Sequence, residues 1–137
     1  METKIIAYHN SFEPIRKFND LTVAWFTPSL HNLKGLRMIN PDIKQYSYEV
    51  EINGNILTEK EARLIAKSLN INWSKFNTKL ITEYEGILKT NEIKAFQTVC
   101  DGFYHKDYNP WDSQAPDVDS IIIFNPQINV KIIKQIM

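Results

Sequence analysis

The segment Gln-Tyr-Ser-Tyr-Glu-Val-Glu-Ile at residues 45–52 alternates polar and apolar side chains with a period of two. This period is typical of a β-strand that packs one face on a core and turns the other face toward water. Strands of this kind are common in antiparallel sheets. The sequence Asn-Gly-Asn follows at 53–55, and its residue types predict a turn.

Further strands are predicted on both sides of this segment. Short runs of aliphatic, β-branched and aromatic residues have Pro, Asn or Gly at one end or directly beside it. The run Ser-Ile-Ile-Ile-Phe predicts a strand that is buried on both faces. The additional predicted strands are residues 4–9, 21–27, 102–105, 120–124 and 130–136.

The middle of the chain predicts helices. Thr58 and Glu61 have the spacing of a capping box, and apolar residues follow at 62, 65, 66 and 69. Other helices are predicted at 29–37, 73–88 and 91–99. Because strands flank a helical segment at about 58–98, we expect a single α+β domain over residues 1–137.

The composition is that of a globular protein. Hydrophobic residues make up 43% of the chain, and its 16 basic residues balance its 16 acidic residues. A duplex nucleic-acid binder usually carries a basic excess, so we expect no such partner. Neither a signal peptide nor a membrane helix is predicted from the first residues, and we expect a cytoplasmic protein, in its own cell or a host cell. The lone Cys100 follows an apolar run, which favours a buried structural thiol over a nucleophile.

Common motifs for phosphate or metal binding are absent from the sequence. The four glycines are scattered at 35, 54, 86 and 102, so no glycine-rich phosphate loop is predicted. The three histidines lie far apart, and no Cys-x-x-Cys spacing occurs. We therefore expect no metal cofactor.

Two strand ends carry polar and aromatic groups suited to a nucleotide. His9 and the small polar residues after it would place an imidazole donor beside main-chain amides, a setting that can hold a ribose hydroxyl and a carboxamide. The alternative is a structural histidine. Trp25-Phe26-Thr27 would offer an aromatic face and a hydroxyl to a flat amide-bearing ring, or would simply be core.

Acidic residues precede the buried strand at 120–124. Asp117 and Asp119 come just before the first residue of this strand, and Asp107 comes just after the predicted strand that precedes it in the chain. A carboxylate at such a place can orient a sugar hydroxyl or stabilise an oxocarbenium-like centre. A solvated loop or a turn cap remains the alternative interpretation.

In this order, the segments resemble the ADP-ribosyltransferase superfamily, in particular its His-Tyr-Glu branch of diphtheria-toxin and poly(ADP-ribose) polymerase type. Its Tyr/Trp-His-Gly-Ser/Thr segment is similar to Tyr8-His9-Asn10-Ser11, and its Gly-Ile-Tyr-Phe-Ser/Thr strand is similar to residues 23–27. A tyrosine-rich strand is matched at 46–50. The family's Asp-Gly turn and its later Val-Val-Phe-Asp-Pro-x-Gln-Ile-Lys strand resemble 101–102 and 119–128. Phage-encoded anti-CRISPR ADP-ribosyltransferases are a weaker likeness.

The resemblance implies a split pair of small antiparallel sheets that grip NAD between them, with a helical insertion in the middle. It implies that His9 holds a ribose of NAD, that Trp25 stacks on nicotinamide, and that Thr27 and the main chain of Asn10 hold the amide. Asp119 or Asp107 would take the place of the family's catalytic glutamate. The residues implied to bind NAD are Tyr8, His9, Asn10, Ser11, Trp25, Phe26, Thr27 and Tyr48.

The activity implied is mono-ADP-ribosylation of a macromolecule, most simply a protein, by a phage or bacterial effector. Three departures from the family pattern bear on this: Asn10 stands for glycine, Trp25 for tyrosine, and an aspartate for the glutamate. A catalytically inactive relative that acts as a binding or inhibitory module is the alternative. A relative that modifies RNA or DNA ends is disfavoured by the neutral net charge.

Overall fold

The computed structural model describes residues 3–18, 24–38, 41–76, 91–107 and 118–136. Seven strands and four labelled helices occur in this part of the chain, together with a helical turn at 73–76. In chain order the elements are β1 (Thr3–Ser11), β2 (Ala24–Phe26), α1 (Leu30–Arg37), β3 (Tyr46–Gly54), β4 (Ile56–Leu57), α2 (Glu59–Ser68), α3 (Asn91–Gln97), β5 (Gly102–Asp107), β6 (Val118–Ile123), α4 (Pro126–Asn129) and β7 (Val130–Gln135).

The alternating segment at residues 45–52 contains most of the central strand of a three-stranded sheet. This sheet has the order β1-β3-β7, and both pairings are antiparallel. Tyr48, Val50 and Ile52 are buried on one face of β3, as the period of two predicts. On the other face, Ser47 is also buried, because α1 packs beside β1 at this end of the sheet.

A second sheet has the order β2-β6-β5-β4. Its pairings are antiparallel except for the short β4, which runs parallel to β5. Ile121, Ile122 and Ile123 of β6 are fully buried, which confirms the prediction of a strand covered on both faces. The architecture is therefore α+β, as the order of predicted elements indicates, with two small, mostly antiparallel sheets.

Two hydrophobic cores lie on the two faces of the four-stranded sheet. The inter-sheet core fills the space against the three-stranded sheet and consists of Ala7, Phe18, Ala24, Phe26, Tyr48, Val50, Ile52, Ile121 and Ile123. The helix-side core lies under the helices and consists of Leu57, Ala62, Ala66, Phe76, Ile93, Phe96, Cys100, Phe103, Ile122 and Phe124. Successive isoleucines of β6 alternate between the two cores, so this strand connects them.

The predicted helical middle is observed where the structure describes it. Thr58 accepts a hydrogen bond from the Glu61 N–H, and Glu61 accepts one from the Thr58 N–H, which confirms the capping box. The predicted helix at 73–88 begins at 73, where Asn72 caps it by accepting from the Lys75 N–H at 3.1 Å; residues 77–88 lie outside the described part. None of the helices in the described ranges has the length and apolarity needed to cross a membrane.

The predicted turn at 53–55 is wrong. Strand β3 continues to Gly54, and the chain then passes through Asn55 into β4 of the other sheet. Gly54 has a φ of 154°, and a Cβ there would approach the Asp101 carboxylate at 2.6 Å, so glycine is required for this crossing. The Asn55 N–H donates to Asp101 Oδ2 at 2.7 Å. Asn-Gly-Asn therefore carries the chain between sheets instead of reversing it in a hairpin.

Candidate functional site

The two sheets are joined at one end by a bridge between β1 and β2. The Tyr8 N–H donates to the Thr27 carbonyl at 2.8 Å, and the Thr27 N–H donates to the Tyr8 carbonyl at 2.9 Å. Continuing this antiparallel ladder would pair Asn10 with Trp25. The described residues show no such second pair, so the strands diverge directly after the bridge.

The imidazole of His9 fills the position where the strands diverge. Its Nδ1 lies 2.7 Å from the Trp25 carbonyl oxygen. The ring packs against Phe18 at a centroid distance of 5.1 Å and against Phe26 at 5.2 Å. The His9 side chain therefore fills the space between the diverging main chains of β1 and β2. Its hydrogen bond to the Trp25 carbonyl links the two strands there.

The contacts of His9 determine its tautomer. A carbonyl oxygen only accepts, so Nδ1 carries the proton and Nε2 is left as an acceptor in the neutral ring. Burial lowers the pKa of His9, although the hydrogen bond to Trp25 works in the opposite direction. The ring is thus neutral near pH 7, and it would accept a hydrogen bond from a ligand hydroxyl, whereas the sequence suggested that it donates one.

The main chain and the side chain of Asn10 point in different directions. Main-chain groups of a strand point to alternate sides, so the N–H and C=O of Asn10 point the same way as those of Tyr8, toward β2. They lie beside the gap that His9 holds open. The side chain instead donates to Gln45 Oε1 at 2.6 Å and accepts from the Ser47 hydroxyl at 2.8 Å, on the sheet face away from His9.

Three other predicted site residues make contacts within the protein. The Tyr48 hydroxyl accepts from the Ile15 N–H at 2.7 Å and so holds the segment that carries Phe18 over His9. Ser11 Oγ accepts from the Glu13 N–H at 3.2 Å at the end of β1. Tyr8 contributes its main chain to the bridge with Thr27.

The three residues predicted at the end of the second strand are divided between the two faces of β2. Phe26 belongs to the inter-sheet core and lies beside His9, whereas the Trp25 indole packs against the helix-side core. Thr27 is buried, and its main chain forms the bridge. The structure thus brings His9, Phe26, Thr27 and the Asn10 main chain together, and it places the Trp25 ring on the other side of the strand.

The predicted acids lie in the two central strands of the four-stranded sheet. Asp119 of β6 is opposite Lys106, and Asp107 of β5 is opposite Val118. The main chain at 119 is two residues before Ile121, whose partner in β2 is Phe26. Asp119, the second residue of β6, therefore lies at the end of the sheet where the β1–β2 bridge lies. Asp117 lies outside the described residues.

His105 was not predicted as a site residue, and its side chain is only 2% exposed. Its ring meets the edge of Trp25 at a centroid distance of 5.7 Å. Burial lowers the pKa of His105, with Glu59 opposing the shift and Arg63 adding to it. Its spacing of two from the buried Phe103 was the sequence signal that could have placed it in the helix-side core.

Arg37 was also not predicted. Its Nη1 donates to Ser47 Oγ at 2.6 Å and contacts Asn10 Oδ1 at 3.4 Å. Gln45 completes this network by donating to the Arg37 carbonyl at 3.0 Å. Because these bonds fix the Asn10 side chain, they also fix the direction of the Asn10 main chain at the gap.

Comparison with protein-family models, with curated proteins and with solved structures finds no match to this chain. In the described part of the chain, no three side chains of His, Cys, Asp or Glu come together as a metal site would require. Burial raises the pKa of Cys100 to about 11, so its thiol stays protonated at neutral pH, as a structural cysteine would.

Proposed function

We propose that this protein is a mono-ADP-ribosyltransferase that takes NAD at the gap between β1 and β2. The observation that carries the proposal is the position of the His9 imidazole, bonded to the Trp25 carbonyl, next to the Asn10 main chain where β1 and β2 diverge. A primary carboxamide presents one acceptor and one donor side by side. The Asn10 N–H and C=O offer the complementary donor and acceptor. The nicotinamide amide would therefore take the place of the hydrogen-bond partner that β2 does not supply at Asn10.

The proposed reaction is a displacement at the nicotinamide-bearing ribose. The bond between C1′ and the nicotinamide nitrogen breaks, and its electron pair leaves with nicotinamide. A lone pair of the acceptor forms the new bond to C1′, and the acceptor's proton passes to solvent. His9 Nε2 would accept from a ribose hydroxyl and fix the sugar for this step.

Asp119 is the proposed stabiliser of the oxocarbenium-like transition state, with Asp107 as the second choice. The main chain of Asp119 lies at the β6 end that faces the bridge, which supports the preference. A carboxylate that acts on such a charge typically contributes about 3 to 5 kcal/mol to transition-state stabilisation. We infer a cytoplasmic setting, as an effector in its own or a host cell, with a protein acceptor and no metal.

The test is transfer of label from biotin-NAD to proteins of a cell lysate. We expect Asp119→Asn to lower the labelling rate by at least about a hundredfold, by the arithmetic above. His9→Ala should lower it by about the same factor, because the ribose loses the group that fixes its position. Asp42→Asn, which changes an exposed acid far from β6 in sequence, is the matched control and should label like the wild type. Wild-type labelling rates in both site variants would contradict the assignment.

A catalytically inactive binding module is the second candidate function. It is favoured by the position of the Trp25 indole in the helix-side core, where it is not available to stack on nicotinamide at the gap. The same protein preparation distinguishes the two functions. A thermal shift with NAD that His9→Ala abolishes, without any transfer of label, supports the binding module.

A further inference from the structure

The guanidinium of Arg37, the last residue of α1, lies on the face of the three-stranded sheet that is turned away from His9. Its Nη1 donates to Ser47 Oγ at 2.6 Å, and Ser47 is fully buried in β3. The same nitrogen contacts Asn10 Oδ1 at 3.4 Å. These contacts hold the guanidinium against the sheet, while Arg37 stays partly exposed to solvent.

The hydrogen-bonding groups that Arg37 leaves unused are donors. The Ser47 hydroxyl donates to Asn10 Oδ1 at 2.8 Å, and Asn10 Nδ2 donates to Gln45 Oε1 at 2.6 Å. Gln45 in turn donates to the Arg37 carbonyl at 3.0 Å. Each side-chain acceptor of this network therefore receives a hydrogen bond already. The Nε and Nη2 groups of Arg37 have no acceptor in the described part of the chain. A ligand that meets the guanidinium must therefore accept hydrogen bonds.

The positive charge at this end of α1 is not compensated. Lys34 lies three residues before Arg37, so the two side chains are neighbours on the helix surface. Helix α1 contains no acidic residue, and neither cation forms an ion pair with any described residue. The nearest acid along β3 is Glu49, which lies opposite Lys134 of β7. Because neighbouring like charges repel each other, an anion bound between Lys34 and Arg37 would relieve this repulsion.

We propose that Arg37 and Lys34 bind a phosphate group at the end of α1. The guanidinium would donate through Nε and Nη2 to two phosphate oxygens, and Lys34 would supply a second positive charge for the dianion. A cation is excluded by the two charges, and a neutral ligand would leave them uncompensated. The phosphate group occurs as the free ion and as a monoester. Because the site lies on the sheet face away from His9, this proposal does not depend on the proposed function.

The test is a titration of ¹⁵N-labelled protein with inorganic phosphate at neutral pH and constant ionic strength. We expect saturable shifts of the Arg37 Nε–H and Ser47 amide resonances, with a Kd on the order of 1 to 10 mM. Acetate carries one charge and should bind about threefold more weakly, or worse. Arg37→Gln should abolish the saturable shift at Ser47. Lys34→Gln should weaken phosphate about threefold or more, because it removes one of the two charges.

Lys67→Gln is the matched control, because Lys67 is an exposed cation in the last turn of α2. The partial negative charge at a helix C-terminus favours cations at both places, so it does not by itself create a phosphate site. Lys67→Gln should leave the Kd unchanged, and the end of α2 should show no saturable shifts. Equal shifts at the ends of α1 and α2, equal binding of acetate and phosphate, or an unchanged Kd in Arg37→Gln would overturn the proposal.

If Arg37→Gln does not fold, Lys34→Gln decides the question, because Lys34 is exposed. An unchanged Kd in that variant contradicts the site. Methyl phosphate, a monoester, distinguishes the two sources of the group, since the tighter of methyl phosphate and inorganic phosphate shows which form is preferred. The absence of saturable shifts with both compounds would overturn the site.

Discussion

Two glycines illustrate how differently the same residue type is used in this chain. A Cβ on Gly102 would collide with the main-chain carbonyl of Ile122, whereas a Cβ on Gly35 in α1 would meet nothing within 4 Å. We therefore expect Gly102→Ala to lower the free energy of unfolding by about 1–3 kcal/mol or more. Gly35→Ala should raise it by about 0.5–1 kcal/mol, because alanine loses less backbone entropy in a helix. Urea unfolding of both variants checks the pair, and equal effects would contradict these contacts.

His9 links the site to the pH dependence of stability. Burial lowers its pKa below the ordinary value, so the unfolded chain binds the proton more readily than the folded protein. Stability is then complete above the ordinary histidine pKa and decreases as the pH falls below about 6.5, with a slope of at most about 1.4 kcal/mol per pH unit for this group.

We expect His9→Gln to flatten the dependence of the unfolding free energy on pH between 7.5 and 5.5. Glutamine can still donate to the Trp25 carbonyl but does not titrate. Part of the slope should remain, because burial also lowers the pKa of His105. His31→Gln changes an exposed histidine and is the matched control. A slope equal to that of the wild type in His9→Gln would show that His9 is not held neutral by the fold.

The sequence could single out His9 only in combination with the Trp25-Phe26-Thr27 strand end and Asp119, because a histidine at a strand end taken alone is more often structural. It could not predict that the His9 side chain lies between β1 and β2. The hydrogen bond from His9 to Trp25 joins residues 16 positions apart, and it depends on where the two strands diverge. The position of the Trp25 indole was also unpredictable, because the strand period does not say which of two cores each face meets.

Among the elements, α2 depends most visibly on a local sequence signal. The capping box of Thr58 and Glu61 satisfies main-chain donors at the start of the helix, and Ala62 and Ala66 then pack in the helix-side core. We expect Thr58→Ala to lower the unfolding free energy by about 1 kcal/mol, within the range of 0.5–2 for lost caps. Ser68→Ala, which removes an exposed hydroxyl at the other end of α2, should change it by less than about 0.5 kcal/mol. Thermal unfolding of both variants is the measurement, and a negligible effect of Thr58→Ala would contradict the cap.

Long periodic elements could be predicted from sequence, and very short ones could not. β3 and α2 carry enough residues for a period to be read. Strand β4 has two residues and α4 has four, so neither shows one. The Asn-Gly-Asn segment misled the prediction because its residue types suit any sharp change of direction, including a crossing between sheets.

For the whole molecule, the four-stranded sheet is shared by two cores. Phe96 lies in the helix-side core and Val50 in the inter-sheet core, and the isoleucines of β6 alternate between the two cores. We expect Phe96→Ala and Val50→Ala each to shift a single cooperative unfolding transition, by about 3–5 and 1–3 kcal/mol respectively, because disrupting either core exposes the shared sheet. Tryptophan fluorescence and far-UV circular dichroism should give coincident curves. Two separate transitions in either variant would mean that the cores fold independently.

The proposed function requires that the diverging ends of β1 and β2 accept a carboxamide on the main chain of Asn10. The most direct measurement is a titration of ¹⁵N-labelled protein with nicotinamide and, separately, with nicotinic acid, whose carboxylate has no N–H to donate. We predict that nicotinamide shifts the Asn10 and Thr27 amide resonances in a saturable way and that nicotinic acid shifts them far less. Equal shifts with both compounds, or no response of Asn10 to nicotinamide, would show that the Asn10 main chain does not bind a carboxamide.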